Sequence, residues 1–301
     1  MNLHSLNLQS LRVFYTVAKL ESFSRTAEAL YISQPAISKS IKDLEHQLDI
    51  QLIERAAKGK KLSLTEAGHA LFEHARSIFA IEKAAIDDIN ARTGLKRGTL
   101  VIGTSTTIAS YWLPTYLAQF CAKYPDIKVE LQVANTAQIE QALLDCTIDL
   151  ALVEGSPSQD NIMSKHWQND LMSIVYSGQK TLPKNSKKWL AKQQWLLREA
   201  GSGTLEISLK LLSEQKIAIE KNMVLGSNEA IARAVAQGMG VALLPNVVTE
   251  DLVQLGKLNR FTDYEGEGFS RPLYQLRYRD RPSSHAAQAF EKLLFNLKVC
   301  M

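Results

Sequence analysis

The residues of this chain best suited to chemistry fall into two sets, and both are suited to binding. In the first, Gln34, Ser38, Lys39, Lys42 and His46 recur at helical spacing within Ser24–Leu48. Short amides and hydroxyls reach base edges and ammonium groups reach phosphates, so this face suits duplex DNA. Arg25, Ser33 and Pro35 complete the candidate DNA-contacting set there, with Lys58 and Lys60 in a basic turn further on. The second set is Thr104-Ser105-Thr106-Thr107 and Gly201-Ser202-Gly203-Thr204, each of which follows an apolar run and opens a helical pattern. Unpaired amides at a helix start, together with hydroxyl donors, make an anion site. Thr136 and Asn228 hold comparable positions, and Arg198 could pair with a carboxylate or an inorganic oxyanion, or make a surface salt bridge. For any single hydroxyl a helix cap is the plainer role. The case for a ligand is that both stretches would face one cleft.

Catalytic and metal chemistry find less support. His4, His46, His69, His74, His166 and His285 are scattered, and His69 and His74 are five apart, a poor ligand spacing. Gly201–Thr204 superficially suggests a phosphate loop or a nucleophile turn. It lacks the following Lys-Ser/Thr of the one and the Gly-x-Ser-x-Gly spacing of the other. A repressor fused to a catalytic α/β domain is the competing reading. A plain solute-binding protein is a third, against which stand the DNA-binding head and the absence of a signal peptide.

The elements that must hold these residues follow from periodicity. Ile37, Ile41, Leu44 and Leu48 form one stripe of a second helix, with Ser33 as N-cap and Pro35 in the first turn, where amides have no partner. Arg25–Leu30 is the preceding short helix, Ala27 allows a close crossing, and Tyr31-Ile32 is the tight connection. Leu8, Leu11, Phe14, Val17 and Ala18 give a supporting first helix. Leu52–Arg55 and Lys61–Thr65 read as two short strands around Ala56–Lys60, the wing of a winged helix-turn-helix, although a solvated basic turn would look the same taken alone. Thr65 caps a helix of roughly 27 residues, a rod of ~40 Å whose stripe Ala67, Leu71, Ala75, Ile78, Ala85 and Ile89 needs a partner. A second copy of the chain is the expected one, because paired DNA-binding heads need a dimer axis. Thr93–Gly98, with two glycines, breaks the rod.

Beyond it the grammar changes to strands alternating with helices: strands at Leu100–Gly103, Ile127–Val133, Ile148–Val153, Trp195–Arg198, Met223–Leu225, Val241–Leu244 and Pro272–Arg279, with helices between them. This implies a parallel sheet in two blocks, hence two lobes and a cleft.

Composition sets the outer bounds. Residues 1–65 hold 9 Lys+Arg against 6 Asp+Glu, and the remainder 26 against 25, so the excess of +3 lies where the motif lies. No apolar run approaches the ~18 residues needed to span a bilayer. The expectation is a cytoplasmic protein with no membrane partner, and its three cysteines, Cys121, Cys146 and Cys300, read as reduced thiols.

With these residues in view, the chain resembles the LysR-type transcriptional regulators along essentially its whole length. The resemblance rests on Ser33-Gln34-Pro35-Ala36-Ile37-Ser38 with Leu44-Glu45, on Leu52–Arg55, and on Leu64-Thr65-Glu66-Ala67-Gly68. Later it rests on Arg198–Thr204 and Gly238–Pro245. It implies a mainly α winged helix-turn-helix at 1–65, a dimerising linker helix at 66–93, a hinge at 94–98 and an α/β two-lobed effector domain at 99–301, like type II periplasmic binding proteins. Lobe I would take about 99–165 and 270–301, lobe II about 166–269. The resemblance further implies a homo-oligomer, dimeric through the linker and commonly tetrameric, that bends promoter DNA, meets RNA polymerase and responds to a small, here anionic, metabolite. No cofactor or metal is expected, and no catalytic residue. Three departures stand out: Asp49 and Cys146 replace glycines, and Leu205 stands where several relatives carry arginine. A positive φ at Cys146 would strain a non-glycine residue, though the thiol itself needs no redox role.

Overall fold

Apolar side chains three and four residues apart fold the start of the chain into α1 (Leu8–Leu20), α2 (Phe23–Leu30) and α3 (Gln34–Leu48). The computed structural model describes residues 6–54, 62–92, 98–155, 157–181, 186–217, 219–261 and 269–296. Two compact units emerge, Met1–Lys83 and Ala84–Met301. In the first, Leu11, Phe14, Val17, Ile37 and Leu44 are fully buried in one core, as their stripes require. Leu8, expected on that stripe, is instead exposed in the first turn of α1. The α2–α3 connection is closed by Ile32 N–H donating to Ala27 O (3.1 Å), with Tyr31 left-handed at φ +55°.

Glu45, inside α3, accepts from the backbone of Leu52 (2.8 Å) and Ile53 (3.2 Å) and so steers the chain into the wing. Among the described residues the two expected wing strands meet in one antiparallel bridge, Ile53 with Leu64. Arg55, Lys58, Lys60 and Lys61 lie outside the described residues.

The long helix α4 (Glu66–Arg92) is capped by Thr65, whose hydroxyl accepts from Gly68 N (3.0 Å). Gly68 is required by contact: a Cβ there would stand 2.1 Å from Leu52 O. Part of the expected intermolecular stripe turns inward. Ala75 is fully buried, and Leu71 and Ile78 pack on the core of α1 and α3 within the same chain. The large apolar residues left exposed among the described side chains of α4 are Ile81, Ile86 and Ile89, with Ala85 of the stripe exposed beside them.

In the second unit, β1 (Thr99–Thr104), β2 (Lys128–Val133) and β3 (Leu150–Glu154) pair in parallel in the order β2-β1-β3. Between them run α5 (Leu113–Lys123) and α6 (Thr136–Leu144). The expected helix Ile108–Tyr124 begins as a π turn, Ile108–Trp112, in which Leu113 N–H bonds five residues back to Ile108 O. Pro114 has no N–H to continue an α ladder there, and the wider turn absorbs it.

Sequence reading missed β4 (Ile162–Ser177), a 16-residue strand, and with it the way the lobes join. After it come α7 (Ser186–Ala191), β5 (Gln194–Leu197), α8 (Gly203–Glu214), β6 (Lys221–Val224), α9 (Asn228–Ala236), β7 (Val241–Pro245), α10 (Asn246–Gln254) and β8 (Leu258–Arg260). The chain then returns through β9 (Phe269–Tyr278) and α11 (His285–Asn296). The sheet runs β2-β1-β3-β9-β4-β7-β5-β6, so β4 and β9 are antiparallel members of an otherwise parallel arrangement and cross between the lobes. Leu100, Phe120, Leu152 and Phe290 fill the lobe I core, and Trp195, Leu243 and Leu211 that of lobe II. Cys146, beyond α6, has φ +56°, and its N–H donates to Leu143 O (3.1 Å) as a glycine cap would.

Candidate functional site

At the DNA-facing candidate, α3 hides Ile37, Ile41 and Leu44 and leaves Gln34, Pro35, Lys39, Lys42 and His46 exposed, with Ser38 half-buried. Ser33 sits at the N-cap with extended backbone, yet its side chain makes no cap bond. Its hydroxyl, like Gln34, is therefore not used to finish the helix. Arg25 is exposed in the first turns of α2, whose cap is Ser22 (Oγ accepting from Arg25 N, 3.3 Å). The exposed lysines and the start of α3, with the exposed Arg25 of α2, supply the residue types a duplex needs for base contact and phosphate anchoring.

The second candidate lies where β1, α6, α8 and α9 meet. Thr104 ends β1 fully buried, and its hydroxyl is spent on Leu152 O (2.9 Å); it is a strand residue rather than a cleft donor. Ser105 Oγ donates to Glu154 Oε1 (2.8 Å) and accepts from Ile108 N (3.2 Å). Asn228 Nδ2, on α9, donates to Thr107 Oγ1 (2.9 Å) and to Thr204 Oγ1 (3.3 Å), joining the loop after β1 to the start of α8. Thr204 also accepts from Arg271 Nη1 (2.9 Å). The 199–204 loop touches lobe I directly as well: Ala137 N donates to Gly201 O (3.1 Å), and Asn135 Nδ2 to Glu199 Oε1 (3.3 Å). A Cβ on Gly203 would stand 2.5 Å from Glu154 O, so only glycine permits this approach.

Of the two expectations for Arg198, an anion partner or a salt bridge, the salt bridge is the one found. Arg198 does not present a free guanidinium; it forks onto Glu199 through Nε (2.8 Å) and Nη2 (2.9 Å) and is largely buried. Burial pushes the Glu199 carboxyl up, but the bonds from Arg198, the backbone and Asn135 outweigh it and hold it below the usual range. The buried cation of this group is Arg271, which donates to Asp170 Oδ2 from Nε (2.9 Å) and Nη2 (2.7 Å) and lies 3.5 Å from Glu154 Oε1. Asp170 and Arg271 are direct partners across β4 and β9. Burial, aided by Glu154, raises the Asp170 carboxyl against the pull of Arg271.

Three buried polar atoms in this group have no partner: Thr106 Oγ1, Thr136 Oγ1 and Asn228 Oδ1. Ser202, the N-cap of α8, makes no side-chain cap bond either. Sequence reasoning named all four residues but missed Glu154, Asp170 and Arg271. The available signal was a lone charge beside an apolar strand run, as in Leu150-Ala151-Leu152-Val153-Glu154. Among the described residues no group of His, Cys, Asp and Glu is placed to hold a metal ion, and no helix is long and apolar enough to cross a membrane.

Comparison with known proteins covers both units. Residues 8–69 match the family described as bacterial regulatory helix-turn-helix protein, lysR family, and residues 93–296 match the LysR substrate binding domain. The chain is 33% identical to the HTH-type transcriptional regulator YeiE of Escherichia coli over 287 residues, 95% of this chain and 96% of that protein. It is 31% identical to the transcriptional activator CmpR of Synechocystis over 291 residues, 96% and 94% of the two chains. The regulatory domain of Synechocystis CcmR, solved in complex with 2-PG, superposes with a TM-score of 0.60 at 26% identity, covering 68% of this chain and 99% of that one.

Proposed function

We propose, for a chain that belongs to the LysR family of transcriptional regulators, a division of labour between its two candidate sites. As a member of that family it is a DNA-binding regulator with an effector-binding domain, and not an enzyme. In our reading Gln34 and Ser38 meet base edges, while Arg25, Ser33, Lys39, Lys42 and the wing residues Lys58 and Lys60 anchor phosphates, with Pro35 shaping the helix start. Two chains pair through the exposed isoleucines of α4, and dimers associate further into tetramers. A small anionic metabolite enters between the lobes at Thr106, Thr136, Ser202, Gly203 and Asn228, with Ser105, Thr204 and Arg271 holding the walls, and changes promoter occupancy. The protein works in the cytoplasm and passes its state to RNA polymerase.

One observation carries this reading: Asn228 ties the loop after β1 to the start of α8, so helix starts from both halves face one point. Such a point is where an open α/β fold takes its ligand. The test starts with the duplex sequences that the full chain selects from a random pool. Gln34→Ala should lose about 1–3 kcal/mol of discrimination for that sequence, whereas Lys39→Ala should weaken all DNA alike and lower the salt slope by about 1. Equal loss on both DNAs for Gln34→Ala would show the reading face to be misassigned.

A further inference from the structure

We propose that the second unit carries another ligand site, a groove between β4, β9 and α11 that takes a phosphorylated organic metabolite. The groove has a volume of about 620 Å³, a size usual for small-molecule sites. It is distinct from the cleft proposed above. Asp170 lies five residues beyond Lys165 on β4, which places it roughly 16 Å further along the strand.

Register and helical spacing assemble the lining. Lys165 and Gln275 are direct partners in the antiparallel pairing of β4 with β9, as are Met163 and Arg277. On α11, Glu291, Lys292 and Phe295 recur at helical spacing and so share one face toward the groove. Gln275 is buried, and its Nε2 donates to Glu291 Oε1 (3.1 Å) and to Leu276 O (3.1 Å). Arg277 reaches the same Glu291 oxygen through Nε (3.3 Å).

The charges in the groove do not balance. Lys165, Arg277 and Lys292 line it against a single carboxylate, Glu291. Arg277 is engaged by that carboxylate, which burial pushes up against the pull of Arg277 and Lys165. Among the described residues neither Lys165 nor Lys292 has an ion-pair partner. Lys165 Nζ sits 3.6 Å from the centre of the Phe295 ring, a contact that positions the ammonium without neutralising it. The two lysines come from different walls, one from β4 and one from α11, and both are exposed.

This arrangement sets the class of ligand. Ammonium groups without counter-charge on two walls call for a dianion. As point charges they suit a phosphoryl group, whereas the guanidinium fork that matches a planar carboxylate is already engaged here. Met163 and Phe295 add apolar surface, so the anion carries an organic body.

The test is calorimetric titration of the full chain with AMP, ATP and glycerol phosphate, and with citrate and succinate as phosphate-free anions. At least one phosphorylated probe should bind, and Lys165→Met with Lys292→Met should weaken it about tenfold or more. Lys292→Met alone, which leaves the Lys165 contact with Phe295 intact, should weaken it about threefold. Both side chains are exposed, so the midpoint of thermal unfolding should stay unchanged. If no phosphorylated probe shows binding that these variants weaken, the proposal is wrong. It is equally wrong if citrate or succinate binds as tightly with the same dependence on the lysines. An equal loss from Lys210→Met, an exposed lysine of α8, would reduce the effect to bulk charge and overturn it too. A probe weakened by Thr136→Val and not by the lysine variants lies in the cleft, which overturns the groove while the cleft assignment stands.

Discussion

Replacing Arg271 with methionine tests whether the buried group around it is held by charge. The wild-type side chain is fully buried and makes two bonds to Asp170 and one to Thr204, with Glu154 at 3.5 Å. Methionine keeps much of the volume but leaves two buried carboxyls without their cation. Breaking a buried pair from one side costs about 3–5 kcal/mol, well above the worth of the bonds counted singly, because the abandoned charge is stranded. The loss should depend on pH. Asp170 already titrates above an ordinary carboxylate, since burial raises it more than Arg271 lowers it. A folded-state carboxyl raised in this way favours folding below its unfolded pKa, and that contribution is lost as pH climbs toward the folded value. Without Arg271 the folded value moves further up, so the variant pays its full penalty only near neutrality. The assay is urea unfolding at about pH 5 and about pH 7.5, followed by tryptophan fluorescence. All four tryptophans, Trp112, Trp167, Trp189 and Trp195, lie in the second unit, so the signal reports that unit. The expected result is a markedly larger loss at the higher pH, relieved in part by adding Asp170→Asn. A loss below about 1 kcal/mol, or one equal at both pH values, would refute the reasoning.

Assembly and backbone strain give two further expectations. Ile81→Glu with Ile89→Glu should lower the oligomeric state seen by analytical ultracentrifugation and leave the fold intact, because both residues are more than half exposed; an unchanged mass would move the interface elsewhere. Ile78→Glu should instead destabilise the chain, since that side chain packs on the core of α1 and α3. Cys146→Gly should raise the stability of the second unit by about 0.5–1 kcal/mol, as relief of a left-handed backbone exceeds the added freedom of the unfolded chain. Chemical denaturation decides it, and a net loss would mean that the side chain contributes more than its φ of +56° costs.

What the sequence made legible was what local spacing controls. The buried stripe Ile37, Ile41 and Leu44 fixes which face of α3 is free, and the cap Thr65 fixes where α4 begins. The positive φ at Asp49 and Cys146 could be suspected because glycine is the residue such turns favour. What stayed hidden depends on partners far along the chain. β4 alternates poorly, because its first half is mostly exposed and its second half is buried except at Leu171, so no single period describes it. Leu71 and Ile78 belong to an amphipathic stripe whose partner cannot be told from spacing alone: a second copy and the chain's own core ask for the same pattern. Arg198 and Arg271 show the limit most clearly. Arg198 lies beside a glycine-rich loop, where its neighbours along the chain leave an anion's partner and a salt bridge equally open, and the next residue, Glu199, takes up its guanidinium. Arg271 lies 101 residues from Asp170, and only the antiparallel register of β4 on β9 brings the two together. The register therefore decides which buried cation stands beside Thr204 at the proposed site.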